Sequence, residues 1–228
     1  MAHIPTTLSL NDLAFLGKIQ SVNQYGSITA GLVARWQLNG NLLDPVGGYN
    51  GSINEPPITY VSGIINEALS LPGNQYVTTG CELELGNFTC CAWFYITAVS
   101  WTGYSRLVDK NYISGFWMGT SNTLNSMEAG IMQTSSPYGT VISGASTNTW
   151  MHLALTRSGT TGTVYLNGTQ NTVSATVSSN TLDPSQIDIG AYTGFNGDNP
   201  WIGYVEDVRL YNVALTSSQI NQIAALQG

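Results

Sequence analysis

Trp150-Met151-His152-Leu153-Ala154-Leu155-Thr156 and Thr163-Val164-Tyr165-Leu166 are two short apolar runs on either side of Arg157-Ser158-Gly159-Thr160-Thr161-Gly162. Runs of this length, rich in residues that suit a pleated surface and separated by glycines that permit positive φ, predict two antiparallel strands joined by a hairpin loop. Working outward, the same texture recurs in residues 32–38, 75–79, 88–96, 116–119 and 202–211, each bounded by Gly, Asn, Pro or Ser. A chain built this way is strand-dominated, and its expected class is an all-β sandwich. One helix is predicted near the C-terminus: Thr216 caps it, Gln219 completes a capping box, and Ile220, Ile223, Ala224 and Leu226 share an apolar face.

Three segments in order carry a family resemblance. The first is Leu32-Val33-Ala34-Arg35-Trp36-Gln37-Leu38-Asn39-Gly40-Asn41 with Asp44 and Gly47-Gly48-Tyr49-Asn50-Gly51. The second is Asn66-Glu67-Ala68-Leu69-Ser70-Leu71-Pro72-Gly73, Tyr76-Val77 and Phe88-Thr89-Cys90-Cys91-Ala92-Trp93-Phe94. The third runs from Trp150 through Val164-Tyr165-Leu166-Asn167-Gly168 to Ile202-Gly203-Tyr204-Val205-Glu206-Asp207-Val208-Arg209-Leu210-Tyr211-Asn212. Together they resemble the laminin-G-like branch of the concanavalin A-like superfamily over about residues 32–226. The resemblance implies a jelly-roll sandwich of two antiparallel sheets, with binding through rim loops or the concave sheet. It implies no single function, because that fold hosts lectins, adhesion modules, glycanases and virion proteins.

Composition narrows the partners. The 228 residues include 8% charged side chains, against about 25% in an ordinary soluble domain, so the polar surface is made of Asn, Ser, Thr, Gln and Gly. Six Lys plus Arg against thirteen Asp plus Glu give a net charge of −7 with no basic cluster, which argues against nucleic acid. Neutral glycans, whose hydroxyls are hydrogen-bonding groups, suit such a surface, and so does packing against other subunits. No run approaches the length of a membrane span. Met1-Ala2-His3-Ile4-Pro5 lacks the basic and apolar regions of a secretory signal. Cys81, Cys90 and Cys91 are expected to be buried free thiols, with a disulfide from Cys81 to Cys90 or Cys91 as the alternative.

Candidate sites follow from residue chemistry and from the resemblance. Aromatic rings beside amides and acids suit sugar contact. The loop 192–201 supplies Tyr192, Phe195, Asn196, Asp198 and Trp201, and a second stretch supplies Trp101 and Tyr104. The competing expectation is that Trp101 and Trp201 pack over the sandwich edge. Asp44 and Asp207 resemble the two places from which the family supplies ligands to a structural calcium ion (Ca2+), with backbone carbonyls completing the shell. The alternatives are that Asp44 forms a turn before Pro45 and that Asp207 pairs with Arg209 or caps a loop.

Glu82 and Glu84, sharing one strand face, are a partial echo of the superfamily's glycanase signature but lack its third acid, so the protein is expected not to be an enzyme. His152 is expected at a satisfied position in a strand. Asn50, Asn87 and Asn167 head glycosylation-type triplets of the kind that arise by chance in an Asn-, Ser- and Thr-rich chain, and the first and last double as turns.

One domain plus an arm is expected, the arm at 1–30 and the jelly-roll domain at 31–228. The arm has no core of its own, and its Thr7-Leu8-Ser9-Leu10-Asn11-Asp12-Leu13 resembles the Ser-Leu-x-Asp openings of phage virion structural proteins. The expected function is a non-catalytic module on the virion surface, a capsid decoration or tail or fibre component. The arm would anchor it to other virion subunits, and the jelly-roll domain would meet host-surface glycans. The alternative is an extracellular, secreted or cell-surface carbohydrate-binding module.

Overall fold

In the computed structural model the described residues are 28–97, 103–111, 114–131, 138–170, 175–177, 181–192 and 199–225. The chain divides into two compact units, Met1–Ala30 and Gly31–Gly228. The expected arm, apart from residues 28–30, lies outside the described residues.

The strands of the second unit, in chain order, are β1 (Leu32–Trp36), β2 (Ser52–Ile53), β3 (Thr59–Ser62), β4 (Glu67–Pro72), β5 (Val77–Thr78), β6 (Phe88–Ile96), β7 (Arg106–Lys110) and β8 (Phe116–Thr120). They continue as β9 (Ser126–Ile131), β10 (Tyr138–Ser143), β11 (Trp150–Ser158), β12 (Thr161–Leu166), β13 (Thr169–Gln170), β14 (Ala175–Thr176), β15 (Asp188–Ile189) and β16 (Ile202–Tyr211), before the helix α1 (Ser217–Ala224). One sheet of nine strands runs β13-β12-β11-β6-β16-β4-β3, with β1 also paired to β16 and β14 to β12. The other, of seven, runs β10-β9-β8-β7-β15-β5-β2. All the pairings among the described residues are antiparallel, as the sandwich class requires.

The hairpin between β11 and β12 is tighter than expected. Thr161 and Gly162 are already paired, with Ser158 and Arg157, so the loop shrinks to Gly159-Thr160, and Gly159 supplies the left-handed φ of 57°.

Strand periodicity sorts each central strand into two faces. In β6, Phe88, Cys90, Ala92, Phe94 and Ile96 enter the core between the sheets, which leaves Thr89, Cys91, Trp93 and Tyr95 on the outer face of the nine-stranded sheet. Phe88 stacks on Phe116 of β8 at 4.9 Å between ring centroids, one of the contacts that bind the two layers. The adjacent Cys90 and Cys91 therefore occupy different environments. Both are free and buried, as is Cys81.

β16 is bent at Glu206–Asp207. Residues Ile202 to Val205 pair with β4, whereas Val208 to Tyr211 pair with β1, and the register with β6 shifts between Glu206 and Arg209. Asp207 adopts φ 53°, an uncommon conformation for a residue with a side chain and the mark of a bulge. The bulge lets one strand serve two edge partners in turn. The C-terminal helix forms as expected. Gln219 N–H donates to Thr216 Oγ1 at 3.3 Å, Gln219 Oε1 accepts from Thr216 N–H at 2.9 Å, and Ile220 and Ile223 are buried.

Candidate functional site

The register of the nine-stranded sheet sets five side chains in one line on its outer face: Thr59 of β3, Ser70 of β4, Tyr204 of β16, Tyr95 of β6 and Trp150 of β11 are successive cross-strand partners. Thr59 is exposed and the other four are half-buried. Within this cross-strand strip the three rings close into a triangular cluster, with centroids 5.1 Å apart for the stacked pair Tyr95–Tyr204, 5.6 Å for Tyr95–Trp150 and 6.4 Å for Trp150–Tyr204. Gly203 permits this spacing, because it lies so close to the Tyr95 carbonyl that any Cβ there would collide with it. Exposed Ile202 and Pro72 border the strip. The electron-rich faces of such rings stack against apolar C–H surfaces, while the Ser70 and Thr59 hydroxyls offer donors and acceptors at one end.

One register line further in, the same face is closed. Glu206, Trp93 and His152 are consecutive partners and all are buried. The Glu206 carboxylate accepts from the backbone N–H groups of Ile64 (2.7 Å), Ile65 (3.0 Å) and Asn66 (2.9 Å), and so anchors the turn between β3 and β4. His152 meets Trp93 edge-on at 5.3 Å, and neither ring nitrogen has a hydrogen-bond partner among the described residues. Sequence reasoning expected a satisfied histidine. The structure gives an architectural one, kept neutral because burial, then the nearby Arg209, pull its pKa down to about 3 against the smaller upward pull of Asp207.

Asp44 and Asp207, the expected calcium ligands, are engaged by protein donors. Asp44 is buried and accepts backbone N–H bonds from Arg35 (2.9 Å), Val46 (3.0 Å), Gly47 (3.1 Å) and Tyr49 (3.2 Å). Asp207 accepts from Arg35 Nε at 2.7 Å and from Arg209 Nε and Nη2 at 2.9 and 2.6 Å. Burial alone would raise the Asp207 carboxyl. Arg209 and Arg35 more than reverse this and hold it below the usual carboxylate range. A calcium ion needs several oxygen lone pairs converging on one point, whereas these oxygens face N–H groups and guanidinium ions. The two acids do not fit the ion in this arrangement; the turn expected for Asp44 and the Arg209 pairing expected for Asp207 are what the structure shows, with Arg35 joining both. Neither calcium nor a chelator is therefore expected to shift the melting temperature, and a rise of several degrees with calcium would contradict this reading. Asp44→Ala, which strands four N–H groups, is expected to cost about 2–3 kcal/mol in urea unfolding.

Of the seven expected sugar-contact residues, Trp101, Phe195, Asn196 and Asp198 lie outside the described residues. Tyr104 is 41% exposed. Tyr192 is buried with its hydroxyl 3.5 Å from Asn111 Oδ1. Trp201 is 1% exposed and meets Phe94 edge-on at 5.7 Å, so it packs in the core, as the edge-packing alternative anticipated in part, and offers no stacking surface. Glu82 and Glu84 are both exposed but sit in a segment outside the strands, which removes the shared strand face expected of them.

The outer face of the seven-stranded sheet gathers acids that sequence reasoning did not single out. Asp188, Asp109 and Trp117 are successive register partners, and Arg106 lies 5.5 Å from the Trp117 ring centroid with its Nε 3.4 Å from Asp109 Oδ2. Asp109 and Asp188 are buried. The half-buried Glu128 has its carboxyl raised by burial, against the lowering influence of Arg106 and a Trp117 hydrogen bond.

A two-layer antiparallel sandwich closed by a short helix, with a strip of rings on one outer face, is a concanavalin A-like jelly roll. The chain belongs to the concanavalin A-like lectin/glucanases superfamily, whose laminin-G-like family model matches residues 71–221. No curated protein matches the sequence. Among solved structures it is similar to domain 4 of AbnA, a GH43 extracellular arabinanase from Geobacillus stearothermophilus, in complex with arabinotriose. The TM-score is 0.70 at 20% identity, over 86% of this chain and 98% of that one. It is also similar to the botulinum neurotoxin serotype D ligand binding domain in complex with N-acetylneuraminic acid, with TM-score 0.68 at 15% identity over 88% of this chain and 52% of that one. A third is the binding domain of Paraclostridial Mosquitocidal Protein 1, with TM-score 0.67 at 15% identity over 85% and 52%. At these identities the likeness is one of fold, and the chain spans about half the length of the toxin domains. No helix among the described residues is long and apolar enough to cross a membrane.

Proposed function

We propose that the protein is a non-catalytic glycan-binding module and that the strip Tyr95–Tyr204–Trp150 is its sugar-stacking surface. The strip carries the reading: three rings gathered into one cluster by strand register, partly open to solvent, and bordered by hydroxyls and apolar side chains. The fold neighbours in complex with arabinotriose and N-acetylneuraminic acid support a carbohydrate ligand. The acids paired across the seven-stranded sheet, Asp109 and Asp188, are buried, with Arg106 beside Asp109, and so do not suit the two carboxylates that a glycosidase brings to the scissile bond.

In affinity gel electrophoresis through arabinan, xylan and β-glucan, the protein is expected to be retarded by at least one of the three. Trp150→Ala is expected to weaken that binding at least tenfold, or about 1.4 kcal/mol, with an unchanged melting transition. Retardation untouched by both Trp150→Ala and Tyr204→Ala sinks the assignment to this face. The Tyr104 rim then becomes the place to look.

Display on a virion through residues 1–30 is the narrower form of the proposal. It rests on the opening's resemblance to virion proteins. Mass spectrometry of purified particles tests it: absence of the chain from them removes this form and leaves the extracellular module.

A further inference from the structure

We infer that the ligand of the aromatic strip is an uncharged glycan and that the protein discriminates against carboxylated and sulfated ones. The inference rests on the binding reading above but is carried by a separate observation, the placement of the cationic side chains. Five of the six Lys and Arg residues are described, and four of them, Arg106, Lys110, Arg157 and Arg209, are at most 5% exposed. The fifth, Arg35, keeps 19% of its side chain exposed while its Nε is engaged by Asp207. Each is held inward by a local acceptor. Lys110 Nζ donates to the Ser185 carbonyl, Arg157 Nε donates to the Gly159 carbonyl at 3.1 Å, and Arg106 and Arg209 face carboxylates.

The acids are distributed the other way. Glu55, Glu67, Glu82, Glu84 and Asp183 are exposed, so the described surface presents carboxylates and no exposed cation. An anionic sugar gains nothing by recognition through a guanidinium or ammonium group there, and it approaches a chain of net charge −7. At the strip itself the nearest polar partners along the register are the Ser70 and Thr59 hydroxyls. The one acid a register line away, Glu206, is occupied by three backbone N–H groups. Recognition is therefore left to ring stacking and neutral hydrogen bonds. Neither varies much with ionic strength, in contrast to a binding site built on exposed charge.

The test is affinity gel electrophoresis of the full chain at low and physiological salt. The gels hold a β-glucan, a xylan and an arabinan, with the carboxymethylated and sulfated derivative of each in parallel. The expected result is retardation by a neutral chain that changes less than twofold with salt and falls at least tenfold for its derivatives, most steeply at low salt. A variant separates charge from shape. Thr59→Lys, at the exposed end of the line, is expected to raise the ratio of sulfated to neutral binding at least tenfold at low salt, and to lose that gain as the salt rises. Equal or stronger retardation by the charged derivatives overturns this inference and leaves glycan binding intact. No retardation by any of the nine polysaccharides overturns the binding reading and this one with it.

Discussion

Asp207→Asn is expected to destabilise the protein by about 3–5 kcal/mol in urea unfolding near neutral pH. The side chain is buried and accepts three hydrogen bonds from two guanidinium groups, Arg35 and Arg209. Removing its charge leaves Arg209 buried with no counter-charge from this residue, and that loss dominates the cost. Asparagine isolates the electrostatic part, because it is nearly isosteric and tolerates the φ of 53° at the bulge. Replacing all three members at once, with Arg35→Met and Arg209→Leu alongside Asp207→Asn, is expected to cost less than Asp207→Asn alone, since no buried charge is then left over. A loss under 1 kcal/mol for the single variant shows that the triad is not what holds the bulge. The same carboxyl titrates below the ordinary aspartate range. Its contribution is therefore present above about pH 4 and lost as the pH falls through the folded-state value.

Acidification acts earlier, through His152. The unfolded chain takes up a proton at this residue near pH 6.5, whereas the folded protein resists until about 3. Between those values the unfolded state binds more protons, so stability is full above pH 6.5 and declines as the pH falls, by about 4–5 kcal/mol across the whole window. Glu206 and Glu128 have raised folded-state values and act in the opposite sense at acid pH. The difference between the wild type and His152→Gln isolates the histidine. The variant's unfolding free energy is expected to lose the slope between pH 6.5 and 4, whatever its value at pH 7. Parallel slopes for the two proteins mean that His152 does not remain neutral in the folded state.

The elements legible in the sequence are those where polarity and burial agree. β6 is found end to end, and α1 with its cap, because a nearly unbroken apolar run and a capping box are local signals; β16 is found as well, in spite of its buried Glu206, Asp207 and Arg209, from the apolar residues on either side of them. β7 was not legible, since Arg106, Asp109 and Lys110 look like solvated loop residues and are buried only in the folded sheet, where β7 lies between β8 and β15. Two-residue strands such as β2 and β15 exist through their partners and leave no pattern of their own, whereas β5 falls within the expected run 75–79.

The candidate face was harder still. Phe88-Thr89-Cys90-Cys91-Ala92-Trp93-Phe94-Tyr95-Ile96 is apolar on both faces, so alternation does not separate the outward Tyr95 from the inward Phe94. Only the pairing with Trp150 and Tyr204, 55 and 109 positions away, shows that the rings line up. Asp207 and Arg35 are 172 positions apart, so the acid could be placed on the right strand but not with this partner.

The position of β16 has a consequence for how the chain acquires its structure as it leaves the ribosome. This strand is the last of the sixteen described to be synthesised, yet it lies between β6 on one side and β1 and β4 on the other. Until it emerges, β1 has no neighbour among the described strands of its sheet and β4 has β3 alone. Closure of this sheet must therefore wait for β16 to be made, and pairing over such separations makes that step slow. Until then the nascent chain carries the open strand edges of β1, β4 and β6, which are prone to pairing with other chains.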